Sequence, residues 1–139
     1  MPPLSPGPFK AVVSSAVPIL SLDLLTCSKA ECDFESDFVV KCLRDDFCHA
    51  LVAYFDCAFT QVHKPIAFST SPFSTYTHWK QTVFYLAEPL TVCTGEEIRG
   101  HIKCARNAKN PRDLDIEIGV GFEGRHMPKH AATQEYRLR

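Results

Sequence analysis

The residues best placed for chemistry are Thr77, His78 and Trp79, within the run Tyr76-Thr77-His78-Trp79-Lys80-Gln81-Thr82-Val83-Phe84-Tyr85. Imidazole is the side chain whose ordinary pKa falls near neutrality, so His78 can take up or give a proton at physiological pH. The indole beside it offers a large apolar wall against which a planar group can be held. A polar turn that feeds straight into an alternating strand is where a rigid β scaffold presents function. Taken alone, His78 also reads as an ordinary exposed loop histidine, and Trp79 as a core or edge aromatic.

Three other patterns invite chemistry. Gly119-Val120-Gly121-Phe122-Glu123-Gly124 has the glycine spacing of a dinucleotide loop, which must open a helix inside a βαβ unit. Arg125-His126-Met127-Pro128 follows instead, so these glycines are expected to allow a twisted strand and a turn. Glu96 and Glu97 are neighbours at a strand start; their side chains point to opposite faces and both are expected in solvent. Six His and seven Cys raise the question of a metal. No Cys-x-x-Cys pair exists and Cys27/Cys32 have no clear second pair, so no metal site is expected.

The elements that must position these residues read as strands. Phe47, His49, Leu51, Ala53, Phe55, Cys57 and Phe59 share one face of a period-two run, with Val52 and Tyr54 on the other face, so this strand is expected to be covered on both sides. Gln81–Leu86 is rich in β-branched and aromatic residues. Ile98, Gly100, Ile102 and Cys104 alternate, as do Leu114, Ile116, Ile118, Val120 and Phe122. Between them, Asn107-Ala108-Lys109-Asn110-Pro111-Arg112-Asp113 is dense in turn formers. Strands read from Asp37 onward. No amphipathic helix of useful length and no internal repeat stands out. The fold class is therefore all-β, an antiparallel sandwich or partial β-barrel.

With 139 residues, the chain has the length of one domain with a real core. Apolar residues make up 45% and the net charge is −1, which points to no direct nucleic-acid partner and no anionic membrane surface. Cys42, Cys48, Cys57 and Cys104 lie in apolar runs and no signal peptide is recognisable, so the thiols read as reduced core residues of an intracellular protein. Residues 1–13 begin with a Pro-rich leader expected to be extended or disordered.

The Thr77-His78-Trp79 run closely resembles the Thr-His-Trp loop of the protein arginine N-methyltransferases, above all the predominant type I enzymes. His49-Ala50-Leu51-Val52-Ala53-Tyr54-Phe55 resembles a long barrel strand of that family, and Phe68-Ser69-Thr70-Ser71-Pro72 its approach to the active site. Thr94-Gly95-Glu96-Glu97-Ile98, Asn107-Ala108-Lys109-Asn110, Arg112-Asp113-Leu114-Asp115 and Tyr136-Arg137-Leu138-Arg139 continue in the same order, so the likeness covers roughly residues 14–139. It implies the C-terminal β-barrel portion only. The Rossmann-like domain, the two-glutamate substrate hairpin and the helical dimerisation arm of the family are not recognisable in this sequence.

The resemblance implies methyl transfer from S-adenosylmethionine to a protein arginine ω-nitrogen in a complete enzyme. The methyl donor is a co-substrate there and is not expected to bind this chain. His78 would help relay the proton and tie the domains together through an aspartate of the amino-terminal domain. Trp79 and Thr77 would line the substrate pocket. Arginine-containing proteins, including histones and Gly/Arg-rich segments, would be the substrates, in nucleus and cytoplasm. The alternative is a non-catalytic interaction module that docks on a full-length methyltransferase.

Overall fold

The computed structural model describes residues 8–139, and the expected extended leader lies mostly outside them. Pro8–Ala11 and Lys29–Cys32 are single 3-10 turns. Eight strands follow: β1 Phe34–Lys41, β2 Asp46–Ala53, β3 Asp56–Phe59, β4 Ile66–Ser69, β5 Thr82–Val92, β6 Glu97–Arg106, β7 Leu114–Gly124 and β8 Met127–Leu138. The protein is all-β, with antiparallel pairing, as its alternating sequence requires. The strands divide between two compact units. One comprises His49–Leu86 together with the stretch ending at Val12; the other comprises Val13–Cys48 and Ala87–Arg139. β2 pairs with β5, and the boundary between the units falls within both strands.

The larger unit is built on a four-stranded sheet in the order β1-β6-β7-β8. Its inner face is the set of opposed residues Ser36↔Ile102↔Ile118↔Gln134 and the rows that flank it. Ile98, Ile102, Cys104, Ile116, Ile118, Val120 and Phe122 are all buried there, and Leu90, Val92, Cys42, Cys48 and Cys93 complete the core of the unit. Each large apolar side chain buried in this way contributes about 1.5–3 kcal/mol. Burial pushes the Cys42, Cys93 and Cys104 thiols upward, away from the reactive thiolate. The outer face of the sheet carries charge, with Lys103 paired to Glu35 and His101 to Asp37.

The chain turns from β5 to β6 at Gly95, whose φ of 88° lies in the left-handed region that suits glycine. Two carboxylates hold this turn. Asp45 accepts from the Thr94 backbone N–H and hydroxyl, and Glu96 accepts from the backbone N–H groups of Cys93 at 2.7 Å and Arg125 at 2.6 Å. Glu96 is thus a structural clamp, contrary to its expected place in solvent; only Glu97 points outward. The Arg125 and Cys93 amides hold the Glu96 carboxyl below its ordinary 4.5. A carboxyl depressed in the folded state adds stability above its unfolded pKa, and that stability is lost as pH falls through the lowered value. The thermal midpoint should therefore drop as pH is taken below about 4.5. Glu96→Gln should be less stable at neutral pH and show a shallower acid limb in thermal melts; an identical acid limb would remove Glu96 from this role.

The long period-two run of residues 47–59 is not one strand. It breaks at Tyr54-Phe55 into β2 and β3, and β3 pairs with β4 in a separate two-stranded ribbon. Nor is the phenylalanine face the buried one: Phe47, Phe55 and Phe59 are exposed, Val52 is exposed on the other side, and Cys48 is the buried residue of β2. The Gly119–Gly124 run lies within β7 and leads by a turn into β8, so it has the strand-and-turn role expected of it.

Candidate functional site

Thr77, His78 and Trp79 lie in the smaller unit, on the loop between β4 and β5, which runs from Thr70 to Gln81. Their neighbourhood starts from the β3–β4 ribbon, whose register opposes Asp56↔Ser69 and Cys57↔Phe68. Phe68 therefore lies one residue from the ribbon's end, and Phe55 sits just before β3. The Trp79 indole stacks on Phe68, with ring centroids 5.4 Å apart and planes 16° apart. It meets Phe55 edge-on at 5.8 Å and 79°, and Phe55 meets Phe68 edge-on at 6.1 Å. Such offset and edge-to-face pairs each add about 0.5–1.5 kcal/mol beyond area burial.

The His78 ring lies against Trp79, with centroids 4.0 Å apart and planes tilted by 32°. Thr77 does not reach toward the imidazole; its hydroxyl donates to the Trp79 carbonyl at 3.1 Å, which tightens the turn. Lys80 bonds the Tyr76 hydroxyl and places its ammonium 4.1 Å from the Tyr76 ring centroid, a cation–π contact in solvent. The loop thus presents an exposed imidazole on an aromatic platform of which Trp79 is still 45% exposed. Chemically, the arrangement can hold a flat, cationic or apolar group against the indole and exchange a proton with it.

The structure brings together all three residues singled out in the sequence and adds Phe55 and Phe68 behind them. Phe68 stood in the sequence only as part of a family-like run, and Phe55 as a member of a strand face, so neither carried a signal for supporting Trp79. The single glycine-rich run is consumed by β7, where its backbone amides are spent on strand pairing rather than at a helix N-terminus. Among the described residues, no group of three or more His, Cys, Asp or Glu side chains could hold a metal ion. Among the described residues, no helix is long and apolar enough to cross a membrane.

The fold has its counterpart in a known family. Residues 7–125 match the model of the arginine methyltransferase oligomerization subdomain. The chain belongs to the protein arginine methyltransferase family. It is 46% identical over 129 residues to protein arginine N-methyltransferase 1 of Chlamydomonas reinhardtii, covering 92% of this chain and 37% of that protein. It is likewise 46% identical to the enzyme of the same name from Schizosaccharomyces pombe, covering 93% of this chain and 38% of the relative. Among solved structures, it superposes with a TM-score of 0.88 and 39% identity on a chain of the Trypanosoma brucei PRMT1 enzyme–prozyme heterotetrameric complex with AdoHcy, covering 92% of this chain and 40% of that one. Arabidopsis thaliana protein arginine methyltransferase 10 shares the fold, with a TM-score of 0.84 at 21% identity. The chain therefore spans about two fifths of the length of these relatives.

Proposed function

We propose that this chain supplies one wall of the arginine pocket of a protein arginine N-methyltransferase, in which the methyl donor and the guanidinium-gripping carboxylates are held by sequence this chain does not span. The observation that carries the reading is the His78–Trp79 pair at 4.0 Å, braced by Phe68 and Phe55 on a family scaffold. A guanidinium is planar, carries donors only and has a pKa above about 12. An indole face suits such a cation. As a guanidino nitrogen takes a methyl group it must lose a proton, and His78 is the side chain in this loop whose ordinary pKa fits it to receive one. Arginine-containing proteins such as histones and Gly/Arg-rich segments are the substrates of this reading, in nucleus and cytoplasm, with S-adenosylmethionine as the co-substrate of the complete enzyme.

The test is complementation. The chain should be mixed with the amino-terminal three fifths of the Schizosaccharomyces pombe relative, and labelled methyl transfer to a Gly/Arg-rich peptide followed. Transfer is expected only when both pieces are present. In a titration calorimeter, the chain alone should give no heat with S-adenosylmethionine beyond dilution. Saturable micromolar binding to the chain alone would overturn the division of labour.

A second reading is favoured by the family model's description as an oligomerization subdomain and by the enzyme–prozyme assembly of the Trypanosoma brucei relative. In it, the chain docks on a full-length methyltransferase and modulates it. Added to the intact relative, the chain would then change turnover without contributing His78, and a His78 variant would act as well as the parent.

A further inference from the structure

We infer that Thr70 and Gln81 are positioning residues that clamp the two ends of the loop carrying His78 and Trp79. Their bearing on methyl transfer rests on the function proposed above; the clamp itself stands on geometry. Thr70 is 2% exposed and is the buried polar residue of the described chain, which marks a side chain whose hydrogen bonds must all be met. It is the first residue after β4, and Phe55 is the last before β3, so the two are the next opposed pair after Asp56↔Ser69.

A regular antiparallel pair exchanges two backbone bonds. Here the first is present, from the Thr70 N–H to the Phe55 carbonyl at 2.9 Å. The second is diverted. The Phe55 N–H donates at 3.0 Å to the Thr70 hydroxyl rather than to the Thr70 carbonyl, and the hydroxyl in turn donates to the Phe55 carbonyl at 2.8 Å. The Thr70 carbonyl is thereby left for another donor, and the Gln81 side-chain amide takes it at 2.7 Å.

Gln81 lies eleven residues on, immediately before β5, so one hydroxyl standing in for one carbonyl closes the whole loop. Loops of this length with adjoined ends behave as compact units rather than as mobile connections. Inside it, the Ser71 N–H donates to the Ser69 hydroxyl, Ser71 and Ser74 share a hydroxyl bond of 2.8 Å, and Thr77 ties to Trp79. The same Thr70 bonds fix Phe55, whose ring meets the edge of Trp79. Thr70 thus holds Phe55, whose ring meets the indole that backs His78, and Gln81, which lies two residues after that indole.

The chain has a single tryptophan, so Trp79 emission reads the clamp without cofactor or turnover. Thr70→Val keeps the branched shape but removes the hydroxyl. The Phe55 N–H should then fall back on the residue-70 carbonyl and displace Gln81. The expected result is a red-shifted emission and an acrylamide quenching constant raised about twofold, the change from 45% exposure toward full exposure. Thr70→Ser should restore the parent values. Gln81→Ala, which leaves the ribbon untouched, should shift Trp79 in the same direction, and the double variant Thr70→Val/Gln81→Ala should add little. If Thr70 were only a stabilising core residue, its variants would lower the thermal midpoint while leaving Trp79 emission in the folded protein unchanged; that result, or an unshifted Trp79 in Gln81→Ala, overturns the inference. A complementation assay that shows no methyl transfer would remove the function and leave this clamp intact.

Discussion

In the complemented methyltransferase, His78→Gln should lower kcat by about 10²–10⁴-fold, the range that a positioned general base supplies. KM for the arginine peptide should move little, because Trp79 and its phenylalanine supports remain. Glutamine is the informative replacement. It keeps a planar polar group of similar reach but has no nitrogen that takes up a proton near neutrality. The loop should survive the change, since its closure runs through Thr70 and Gln81 and its platform through Phe68 and Phe55, none of which bonds the imidazole. Unaltered Trp79 emission in the variant would show that directly. Equal turnover for His78→Gln and parent would end the active-site role of His78 and favour the docking-module reading.

The parts of this fold that were legible in the sequence are those where one sheet face meets a core and the other meets water. In β6 and β7, Ile98, Ile102, Cys104, Ile116, Ile118, Val120 and Phe122 alternate with polar or small residues, and every one of them is buried. β8 had no such signal. The residues it places beside that core are His130, Ala132, Gln134 and Tyr136, and its contribution is polar: Gln134 accepts the Ala87 N–H at 2.8 Å. The break between β2 and β3 was invisible for a different reason. An interruption of two residues preserves period-two parity, so Leu51, Ala53, Phe55 and Cys57 keep one apparent face across a real end of strand. The face itself was misjudged because hydrophobicity alone cannot say which side of a strand a neighbouring element covers.

At the candidate site, the chemical residues were legible and their supports were not. His78 and Trp79 announce themselves by type. Thr70 looks like any residue of a Ser/Thr-rich turn; its importance comes from a hydroxyl displacing a carbonyl in a ladder whose partner strand had not been recognised. Glu96 was misread on the same grounds. Its clamp requires the Arg125 amide, 29 residues away, to arrive at the same turn.

A valine at position 100 should destabilise the larger unit by up to about 3 kcal/mol, the upper end of what overpacking typically costs. Glycine inside a strand ordinarily weakens it, so Gly100 in the middle of β6 needs a reason. The reason is Phe38, its cross-strand partner in β1, whose ring lies over the glycine where a side chain would otherwise stand. A Cβ at position 100 would meet the ring Cε1 and Cε2 atoms at 2.7 Å, with Cζ closer still. The ring, held between β1 and β6, has to leave its seat for even one methyl group to fit. Displacing the half-buried Phe38 ring forfeits part of the about 1.5–3 kcal/mol that a fully buried phenylalanine contributes. The expected loss corresponds to a thermal midpoint lowered by roughly 10 °C for a domain of this size. Gly100→Ala should show a smaller version of the same effect. Phe38→Leu should be destabilising alone, yet recover part of the loss when combined with Gly100→Ala, because the shorter side chain vacates the space the new methyl needs. The sign of that coupling separates the two explanations: backbone entropy alone would make alanine at position 100 stabilising and the two changes additive.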